Sequence, residues 1–371
     1  MRRHLVAAVL AAWLGACDDP NATGESSDLS VDAMLDATMP EMMVSDAIAD
    51  AMAPDAIPDA IPDAMPDAIA TEPGQWQPRA AVLPGPIQEV AVLTLAGEMY
   101  VLGGFDELGR IVPRVSVYNP DADAWRVAAD LPVALHHANA AVVDGRIYVL
   151  GFLGRAFAED GRGFIYDPAA DVWTPGPEMP AGTHRGAAGT VAIGARIFLV
   201  GGLSAGAATS LVQAYDVTEG AWHRLPDLPG PPRDHLGVAA LDGRVIVAGG
   251  RDGRIAGHTA RVDIYDPAAD AWTEGAPMPT SRGGIAAVAY DGWMYVIGGE
   301  GNGASPVGVF DQVEAYDPIA DRWQRLPPMR TPRHGTGAAA LGGFIHVPGG
   351  ADVQAFGAVD THERLVPLPP P

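Results

Sequence analysis

The chain has 371 residues and a formal net charge of −23, and all 23 of its basic residues are arginine. Because lysine is absent, a phosphate-binding GxxxxGK[ST] loop, a Schiff-base lysine and a Ser–Lys nucleophile pair are excluded. The acidic balance also argues against nucleic acid as a partner, since phosphate contacts need a basic surface. With Cys17 as its single cysteine, the chain has no intramolecular disulfide and no cysteine-based zinc cluster.

Residues 1–17, MRRHLVAAVLAAWLGAC, are typical of a secretory signal peptide. Two arginines precede an apolar stretch from Leu5 to Leu14, which is shorter than the roughly 20 residues of a membrane-spanning helix. The ending LGAC resembles the bacterial lipobox, which implies cleavage before Cys17 and lipid on that residue. The alternative is an ordinary cleaved signal with an incidental cysteine. We expect a protein of the bacterial cell envelope, periplasmic or on the outer surface, that contacts the membrane only through lipid on Cys17.

Residues 18–75 have a different composition from the rest of the chain. They contain 14 acidic residues and no basic one, and they include the four-residue repeat PDAIPDAIPDAMPDAI from Pro54 to Ile69. Proline at this density prevents helix and sheet, and the like charges repel each other. The segment is therefore predicted to be a disordered, extended tether.

From Trp76 onward the sequence is periodic. Short apolar runs end in a glycine pair, as in YVLGG, except that the second unit has YVLGF. The first glycines of these six runs, separated by 48, 50, 48, 49 and 51 residues, are Gly103, Gly151, Gly201, Gly249, Gly298 and Gly349. A module of this length that recurs six times is typical of a repeat architecture.

Each unit contains signals for four strands. A small apolar strand leads through a tight turn, often Asp-Gly as at Asp144, into the glycine-ended strand. A loop of variable length follows, then a strand ending in Tyr and, seven residues later, a strand starting at Trp. YDPAADAW, from Tyr265 to Trp272, is one of five such octapeptides. No helical period is sustained in this part of the sequence, so an all-β fold is predicted.

These motifs resemble the kelch repeat, whose family builds β-propellers from four-stranded blades. The resemblance covers about 296 of the 371 residues and implies a six-bladed propeller over residues 76–371. Five octapeptides for six glycine anchors suggest that one blade is split between the two ends of the chain. Trp76 lies 27 residues before Gly103, a spacing that the other repeat tryptophans also show within one residue. We therefore predict that the N-terminal strand around Trp76 closes the last blade.

The C-terminal partner of this closing strand is predicted within AVDTHERL, residues 358–365, with His362 near the Tyr position. Pairing the two ends of the chain in one blade would remove a free sheet edge, which otherwise promotes aggregation.

Variation in loop length points to one binding face. The spacing from anchor glycine to Tyr is 15, 15, 14, 16 and 18 residues, whereas Tyr to Trp never varies. In a four-stranded meander the loop between strands two and three lies on the same face as the connection between blades; we call this the loop face. Rigid scaffolds with variable loops bind ligands through those loops. The predicted ligand-binding residues of this face are Glu89, His136, His137, Arg185, Arg233, His235, Arg251, Arg254, Arg282, Glu300, Arg333 and His334.

Four of these residues are arginines that stand sixteen residues before a glycine anchor, namely Arg185, Arg233, Arg282 and Arg333. The first two units have Ile87 and Leu135 there. A ring of arginines can clamp carboxylates bidentately. The alternative is that each arginine braces neighbouring blades by bonding backbone carbonyls.

Three further patterns suggest chemistry that their context does not support. GLSAG at Gly202 matches G-x-S-x-G, but no helix follows, as a nucleophile elbow requires. NPDADA at Asn119 lacks the glycine and glutamate of a calcium loop. His136 and His137 could ligate a metal, but adjacent side chains of a strand point to opposite faces and a third ligand is missing. The sequence therefore predicts no catalytic residue, no cofactor and no metal site.

Two functions from different classes fit these observations. The leading hypothesis is a surface-tethered, non-catalytic recognition module, monomeric, that binds a protein, peptide or carbohydrate on the loop face outside the cytoplasm. The alternative comes from the resemblance, because six-bladed kelch propellers include periplasmic N-acetylneuraminate mutarotases. It implies an arginine clamp for a sugar carboxylate and a general acid/base among Glu89, Glu300, His137 and His235. Copper-radical oxidases, another kelch relative, need a Tyr–Cys crosslink and are excluded, since no cysteine follows Cys17.

Overall fold

The computed structural model describes residues 72–371, which form six four-stranded antiparallel sheets. These sheets are the six blades of a β-propeller, so the predicted all-β class and blade number are confirmed. Within the described residues a single 3-10 turn, Arg155–Phe157, is the only helical element. No helix in this range is long and apolar enough to cross a membrane. The predicted signal peptide, Cys17 and nearly all of the tether lie outside the described residues.

The strands are numbered along the chain, and each blade is given from its innermost strand outward. Blade 1 consists of β2 Ala91–Leu95, β3 Glu98–Leu102, β4 Val115–Asn119 and β5 Ala124–Val127. Blade 2 consists of β6 Ala140–Val143, β7 Arg146–Leu153, β8 Glu159–Asp167 and β9 Val172–Gly176. Blade 3 consists of β10 Gly189–Ile193, β11 Arg196–Val200, β14 Val212–Asp216 and β15 Ala221–Arg224. A small hairpin in the blade 3 loop contains β12 Leu203–Ser204 and β13 Ala207–Ala208. Blade 4 consists of β16 Gly237–Leu241, β17 Arg244–Ala248, β18 Val262–Asp266 and β19 Ala271–Gly275. Blade 5 consists of β20 Ala286–Tyr290, β21 Trp293–Ile297, β22 Val313–Asp317 and β23 Arg322–Leu326. Blade 6 consists of β24 Ala339–Leu341, β25 Phe344–Pro348, β26 His362–Leu365 and β1 Trp76–Pro78.

Blade 6 joins the two ends of the propeller. Its outermost strand is β1, which pairs antiparallel with β26 and places Trp76 opposite Leu365. In blade 1 the repeat tryptophan, Trp125, lies opposite Tyr118. Trp76 is therefore the sixth repeat tryptophan, as predicted. The placement of His362 near the Tyr position was wrong by three residues: Leu365 takes that register position.

The octapeptides link each blade to the preceding one. In blade 1 the Tyr118 hydroxyl donates to Asp123 Oδ1 over 2.7 Å, and the same oxygen accepts the backbone N–H of Ala80 from blade 6 at 3.1 Å. The Trp125 indole N–H donates to the Ala80 carbonyl at 2.9 Å. All six repeat tryptophans make this bond to the segment after the preceding blade's outer strand, to Ala80, Ala129, Glu178, Pro226, Ala276 and Pro327. The octapeptide is thus a structural element of the blade-to-blade contact.

The glycine pairs link each blade to the next one. The Gly104 N–H donates to the Leu135 carbonyl of blade 2 at 2.8 Å. Gly104 has φ +98°, and a Cβ there would lie 2.3 Å from the Gln88 carbonyl oxygen. No residue other than glycine fits this conformation and this close approach, which explains the pair.

Blade 2 replaces the second glycine with Phe152 and makes the equivalent bond with a side chain. Strand β7 continues to Leu153, and Asn139 Nδ2 donates to the Arg185 carbonyl at 2.8 Å and to the Leu150 carbonyl at 2.9 Å. Asn139 Oδ1 accepts from the backbone N–H of Ala188. Asn139 is fully buried, so its amide substitutes for the missing glycine contact and holds blade 3 against blade 2.

The four repeat arginines lie inside the blades, with at most 1% of their surface exposed. Arg282 donates to the Gly298, Val296 and Thr280 carbonyls and to the buried Glu314 carboxylate. The equivalent side-chain acceptors are Gln213 for Arg185, Asp263 for Arg233 and Glu363 for Arg333. All these partners belong to the arginine's own blade and its entry connection, so the expected bracing of neighbouring blades was wrong in detail. The assignment of these four arginines to a ligand-binding surface is also corrected, because their guanidinium groups are buried and bonded to acceptors within the blade.

The two blades without this arginine lack its acceptor as well. The acceptors of the other blades all occupy one register position on the third strand, as Glu314 does opposite Val296. That position holds Ser116 in blade 1 and Phe164 in blade 2. Ile87 and Leu135 are buried apolar residues and need no polar partner.

Replacing Arg282 with alanine is expected to lower the free energy of unfolding by about 3–5 kcal/mol, because the buried Glu314 carboxylate would lose the guanidinium that bonds it and keep only the Thr280 hydroxyl and Arg325 Nε at 3.8 Å. Arg254→Ala is the matched control, since the Arg254 side chain is 80% exposed and its loss should cost under about 0.5 kcal/mol. Urea unfolding measures both values. Equal stability of the two variants would contradict the structural role of Arg282.

Two buried histidines lie where blade 6 meets blade 1. His346 Nδ1 is 2.9 Å from His362 Nε2, and His362 Nδ1 donates to the Ala80 carbonyl at 3.2 Å. Burial, with Arg364 and Arg79 nearby, lowers the pKa of His346 to about 4. Burial and the neighbouring His346 lower the pKa of His362 to about 3, against the opposing effect of the hydrogen bond to the Ala80 carbonyl. Both side chains are therefore neutral in the folded protein at neutral pH.

The free energy of unfolding is expected to fall as the pH drops from 6.5 to 5. In this range the unfolded chain takes up protons on these histidines and the folded chain does not, which costs up to about 1.4 kcal/mol per pH unit for each group. Equilibrium unfolding at several pH values measures the slope. His362→Gln, which keeps a hydrogen-bond donor and an acceptor, should reduce the slope by the contribution of about one bound proton. An unchanged slope would show that His362 does not contribute to it.

Candidate functional site

Six residues, one from each blade, surround the propeller axis on the loop face; we call them the axial ring. Each stands two residues after the arginine position and has φ between +49° and +65°: Glu89, His137, Ala187, His235, Gly284 and Gly335. Backbone bonds connect them around the axis, with His137 N–H donating to the Glu89 carbonyl at 3.1 Å and Ala187 N–H to the His137 carbonyl at 3.0 Å. The left-handed backbone turns each residue towards the axis before its blade begins.

The axial ring and the residues that follow it line a cavity of about 130 Å³. Three ring positions carry large polar side chains, Glu89, His137 and His235. The other three, Ala187, Gly284 and Gly335, are small and leave the space that these side chains fill.

The three polar side chains of the ring converge on one point. His137 Nε2 is 3.0 Å from Glu89 Oε2 and 2.8 Å from His235 Nε2. The exposed fractions of the side chains of His137, Glu89 and His235 are 5%, 11% and 6%. Together they place two imidazoles and a carboxylate in a nearly dry space, which is a set of groups that can hold a metal ion or exchange a proton.

A second layer of side chains supports this group. His136 Nδ1 meets His137 Nδ1, and His136 Nε2 bonds the Gly154 carbonyl at 2.9 Å. Asp234 accepts from His235 Nδ1 and from Arg251 Nε, the latter at 3.1 Å. Each histidine of the ring therefore has its far nitrogen fixed by a neighbour.

Arg251, Glu300 and His334 complete a circuit of polar groups around the axis. The Arg251 guanidinium is bonded to Glu300, and one of its nitrogens lies 3.1 Å from His235 Nε2. His334 Nδ1 lies 3.7 Å from both Glu300 Oε2 and Glu89 Oε1. We call these eight residues the axial cluster: Glu89, His136, His137, Asp234, His235, Arg251, Glu300 and His334.

Ionisation in the axial cluster follows from burial and mutual contact. Burial raises the pKa of Glu89, but the contacts with His137, His334 and His235 outweigh it and hold the pKa well below the usual range. Burial and the neighbouring His137 lower the pKa of His136 to about 3. Burial and Arg251 also lower the pKa of His235. The cluster thus combines the ionised carboxylate of Glu89 with the imidazoles of His136 and His235, which are neutral at neutral pH.

The structure brings together seven of the twelve residues that the sequence predicts for this face: Glu89, His136, His137, His235, Arg251, Glu300 and His334. Arg254 lies apart on an exposed loop, where it binds Asp252. The expectation that His136 and His137 point to opposite faces was wrong, because His137 has φ +51° and lies outside the strand. The small ring residues Ala187, Gly284 and Gly335 were missed, although their constant offset from the glycine anchors marks them in the sequence.

Comparison with known proteins gives the same architecture. Residues 164–350 match the family model of the KLHDC2/KLHL20/DRC7 kelch-repeats domain, and residues 88–132 and 134–180 match the kelch motif. The solved structure of YjhT has a TM-score of 0.62 at 15% identity and covers 75% of this chain and 94% of its own, which supports the fold alone.

Curated relatives match over parts of their own length. Kelch-like protein terF of Aspergillus terreus is 35% identical over 301 residues, which are 76% of this chain and 65% of that protein. Beta-scruin of Limulus polyphemus is 32% identical over 168 residues, 44% of this chain and 17% of its own. Human kelch-like protein 33 is 34% identical over 131 residues, 35% of this chain and 24% of its own. The chain thus spans less than two thirds of these relatives. Its motifs, its blades and the matched family models show that it belongs to the kelch-repeat family.

Proposed function

We propose that this protein is a non-catalytic recognition module, anchored in the bacterial cell envelope through lipid on Cys17, that binds a protein or peptide partner with the loop face of its propeller. A kelch propeller is a fold suited to protein binding, and the sequence before Trp76 has the composition of a tether. The proposal needs a feature of the loop face that a partner can contact.

An aromatic patch beside the axial cavity is the observation that carries this proposal. Phe157 of the blade 2 loop packs within 6.0 Å of Phe105 from blade 1, and Phe105 lies 5.2 Å from Phe356 of the blade 6 loop, measured between ring centroids. Phe157 is 46% exposed, and Leu108 of the blade 1 loop is 61% exposed. Exposed aromatic and aliphatic side chains that cluster on one face are typical of protein-binding surfaces.

Two exposed arginines, Arg110 in the blade 1 loop and Arg162 near the start of strand β8, are held in fixed orientations. Arg110 Nε donates to Asp106 at 2.7 Å, and Arg162 Nε donates to Asp160 at 3.0 Å. Their side chains remain 68% and 53% exposed. Arginine is enriched at protein interfaces, and a side chain that is already ordered loses less entropy on binding. The loop face therefore combines an apolar patch with oriented cationic groups.

The size of the axial cavity argues against a small-molecule enzyme. Pockets for drug-sized ligands have volumes of roughly 300–1,000 Å³, whereas the axial cavity has about 130 Å³. The mutarotase-type alternative also needs an arginine clamp for a carboxylate. Arg251 is the arginine of the axial cluster, and it is already bonded to Asp234 and Glu300.

Phe157→Asp is expected to weaken partner binding by about 30-fold or more, because it removes a central aromatic contact and adds a charge. Ile319→Asp is the matched control: Ile319 is 79% exposed but lies in the Tyr-to-Trp turn on the opposite face. Crosslinking of the full-length protein in envelope preparations, followed by affinity measurement with the captured partner, compares the two variants. Equal binding by the Phe157 variant, or loss of binding only in the Ile319 variant, would contradict the proposal. Capture of a glycan instead would show that the partner is a carbohydrate and not a protein or peptide.

The enzyme alternative has its own test. Adding the full-length protein to N-acetylneuraminate should leave the NMR saturation transfer between its two anomers unchanged, because the repeat arginines are buried and the cavity is small. The heat-inactivated protein gives the reference rate of exchange between the two anomers. Faster exchange with the native protein would favour a mutarotase over a recognition module.

A further inference from the structure

Hydrogen bonds in the axial cluster determine which ring nitrogen of His137 carries its proton. His136 Nε2 bonds the Gly154 carbonyl, which can only accept, so His136 Nε2 carries the hydrogen and His136 Nδ1 is an acceptor. His137 Nδ1 lies against that acceptor and must donate to it. A neutral His137 therefore presents the lone pair of Nε2 to the axis.

The same reasoning applies to His235 from the other side of the axis. Its Nδ1 contacts the Asp234 carboxylate, which accepts, so Nδ1 carries the hydrogen and Nε2 presents a lone pair. The two Nε2 atoms are 2.8 Å apart, and Glu89 Oε2 is 3.0 Å from the His137 atom. With these tautomers three electron-pair donors face one another. Arg251 Nη2, which lies 3.1 Å from His235 Nε2, offsets part of their repulsion, and a cation between the donors would remove the rest.

The charges of the axial cluster point the same way. The carboxylates of Glu89, Asp234 and Glu300 face a single guanidinium, that of Arg251. With the imidazoles in their neutral form, two negative charges in a nearly dry space have no cationic partner, which is costly. His334 Nδ1 and Asp234 Oδ2 are also buried without a hydrogen-bond partner. A divalent cation would balance this charge.

We propose that Glu89, His137 and His235 bind one divalent transition-metal ion on the propeller axis, with zinc as the ion that fits best. Two imidazole nitrogens and a carboxylate oxygen form a common ligand set for zinc, and three protein ligands leave a fourth position open. Zinc–ligand bonds of about 2.0–2.2 Å put neighbouring tetrahedral ligands about 3.3 Å apart. The separations of His137 from His235 and from Glu89, 2.8 and 3.0 Å, need to widen by a few tenths of an ångström, and all the ligand atoms already lie within 4.8 Å of one another.

The supporting residues match this role. Asp234 behind His235 and His136 behind His137 hold the ligand nitrogens in the metal-binding tautomer, as the hydrogen-bond partners of metal-bound histidines do in known sites. Gly335 lets the Glu89 carboxylate reach the axis, since a Cβ at residue 335 would lie 2.7 Å from Glu89 Oε1. The open position would face the cavity, where water or a side chain of a partner can bind. This inference does not depend on the proposed function.

Zinc titration of the full-length protein, purified in detergent and stripped with a chelator, tests the site. Calorimetry and metal analysis after gel filtration should give one Zn²⁺ per chain. Glu89→Gln and His235→Gln, which preserve side-chain size, should each weaken binding on the order of 100-fold or more, and Asp234→Asn by about 10–100-fold. The visible spectrum of the Co²⁺ form should show tetrahedral nitrogen and oxygen ligation and be lost in the same variants.

His223→Gln is the control, because His223 is an exposed histidine that pairs with Glu219 at 2.8 Å on the outer strand of blade 3. It should bind Zn²⁺ like the wild type. Circular dichroism without metal identifies any variant that fails to fold. If a ligand variant fails to fold, the zinc affinity of Asp234→Asn still tests the site. Absence of stoichiometric zinc in the wild type, or wild-type affinity in folded Glu89→Gln and His235→Gln, would overturn the proposal and leave a shared proton as the link between the two imidazoles.

Discussion

The pairing of Trp76–Pro78 with His362–Leu365 is the interaction on which the rest of the propeller depends. It brings the two ends of the repeat array into one blade, so that blade 1 can pack against blade 6. One bond of the axial ring, from Glu89 N–H to the Gly335 carbonyl at 2.5 Å, also joins these two blades. Glu89 follows the closing strand in sequence, and its position beside His137 and His235 requires that this seam be shut.

Constant contacts and variable contacts are separated in space. The tryptophans and aspartates of the octapeptides join blades near the outer strands. The glycine pairs, replaced by Asn139 in blade 2, join each blade to the next, and buried arginines fix the entry to blades 3 to 6. These contacts use backbone carbonyls and buried acceptors, so they hold whatever the loops contain. The loops between the second and third strands are therefore free to differ. This is why Phe157, Leu108 and Arg110 can form a surface without weakening the scaffold.

Spacing in the sequence was sufficient to predict the number of blades and the role of Trp76. Both follow from periodicity, because the repeat tryptophan and the anchor glycine occupy equivalent positions on the strands of each blade. The group of residues on the loop face was also predictable, since their offset from the glycine anchors is constant. Leu365 was harder to place, because the last blade has no tyrosine and no turn to mark its register.

Side-chain direction was not predictable from the pattern alone. The spacing of the repeat arginines predicts that they line the loop face around the axis, but their side chains point into the blades. Each bonds a buried acceptor, such as Glu314, on a strand about thirty residues later. His136 and His137 meet because His137 has a left-handed backbone, which strand alternation does not anticipate. Asn139 replaces a glycine contact through a bond to the next blade. Each of these depends on a partner distant in sequence.

The central claim is that the seam of blade 6 holds the entire ring, and a pair of proline variants tests it most directly. Gln77 and Gln324 each follow a repeat tryptophan on an outer strand, but Gln77 pairs across the seam with Arg364 and Gln324 pairs within blade 5 with Ala315. Proline cannot donate to either ladder. We predict that Gln77→Pro lowers the melting temperature of the whole propeller clearly more than Gln324→Pro and accelerates hydrogen exchange in every blade. Equal melting temperatures, with faster exchange confined to blade 6, would contradict the account.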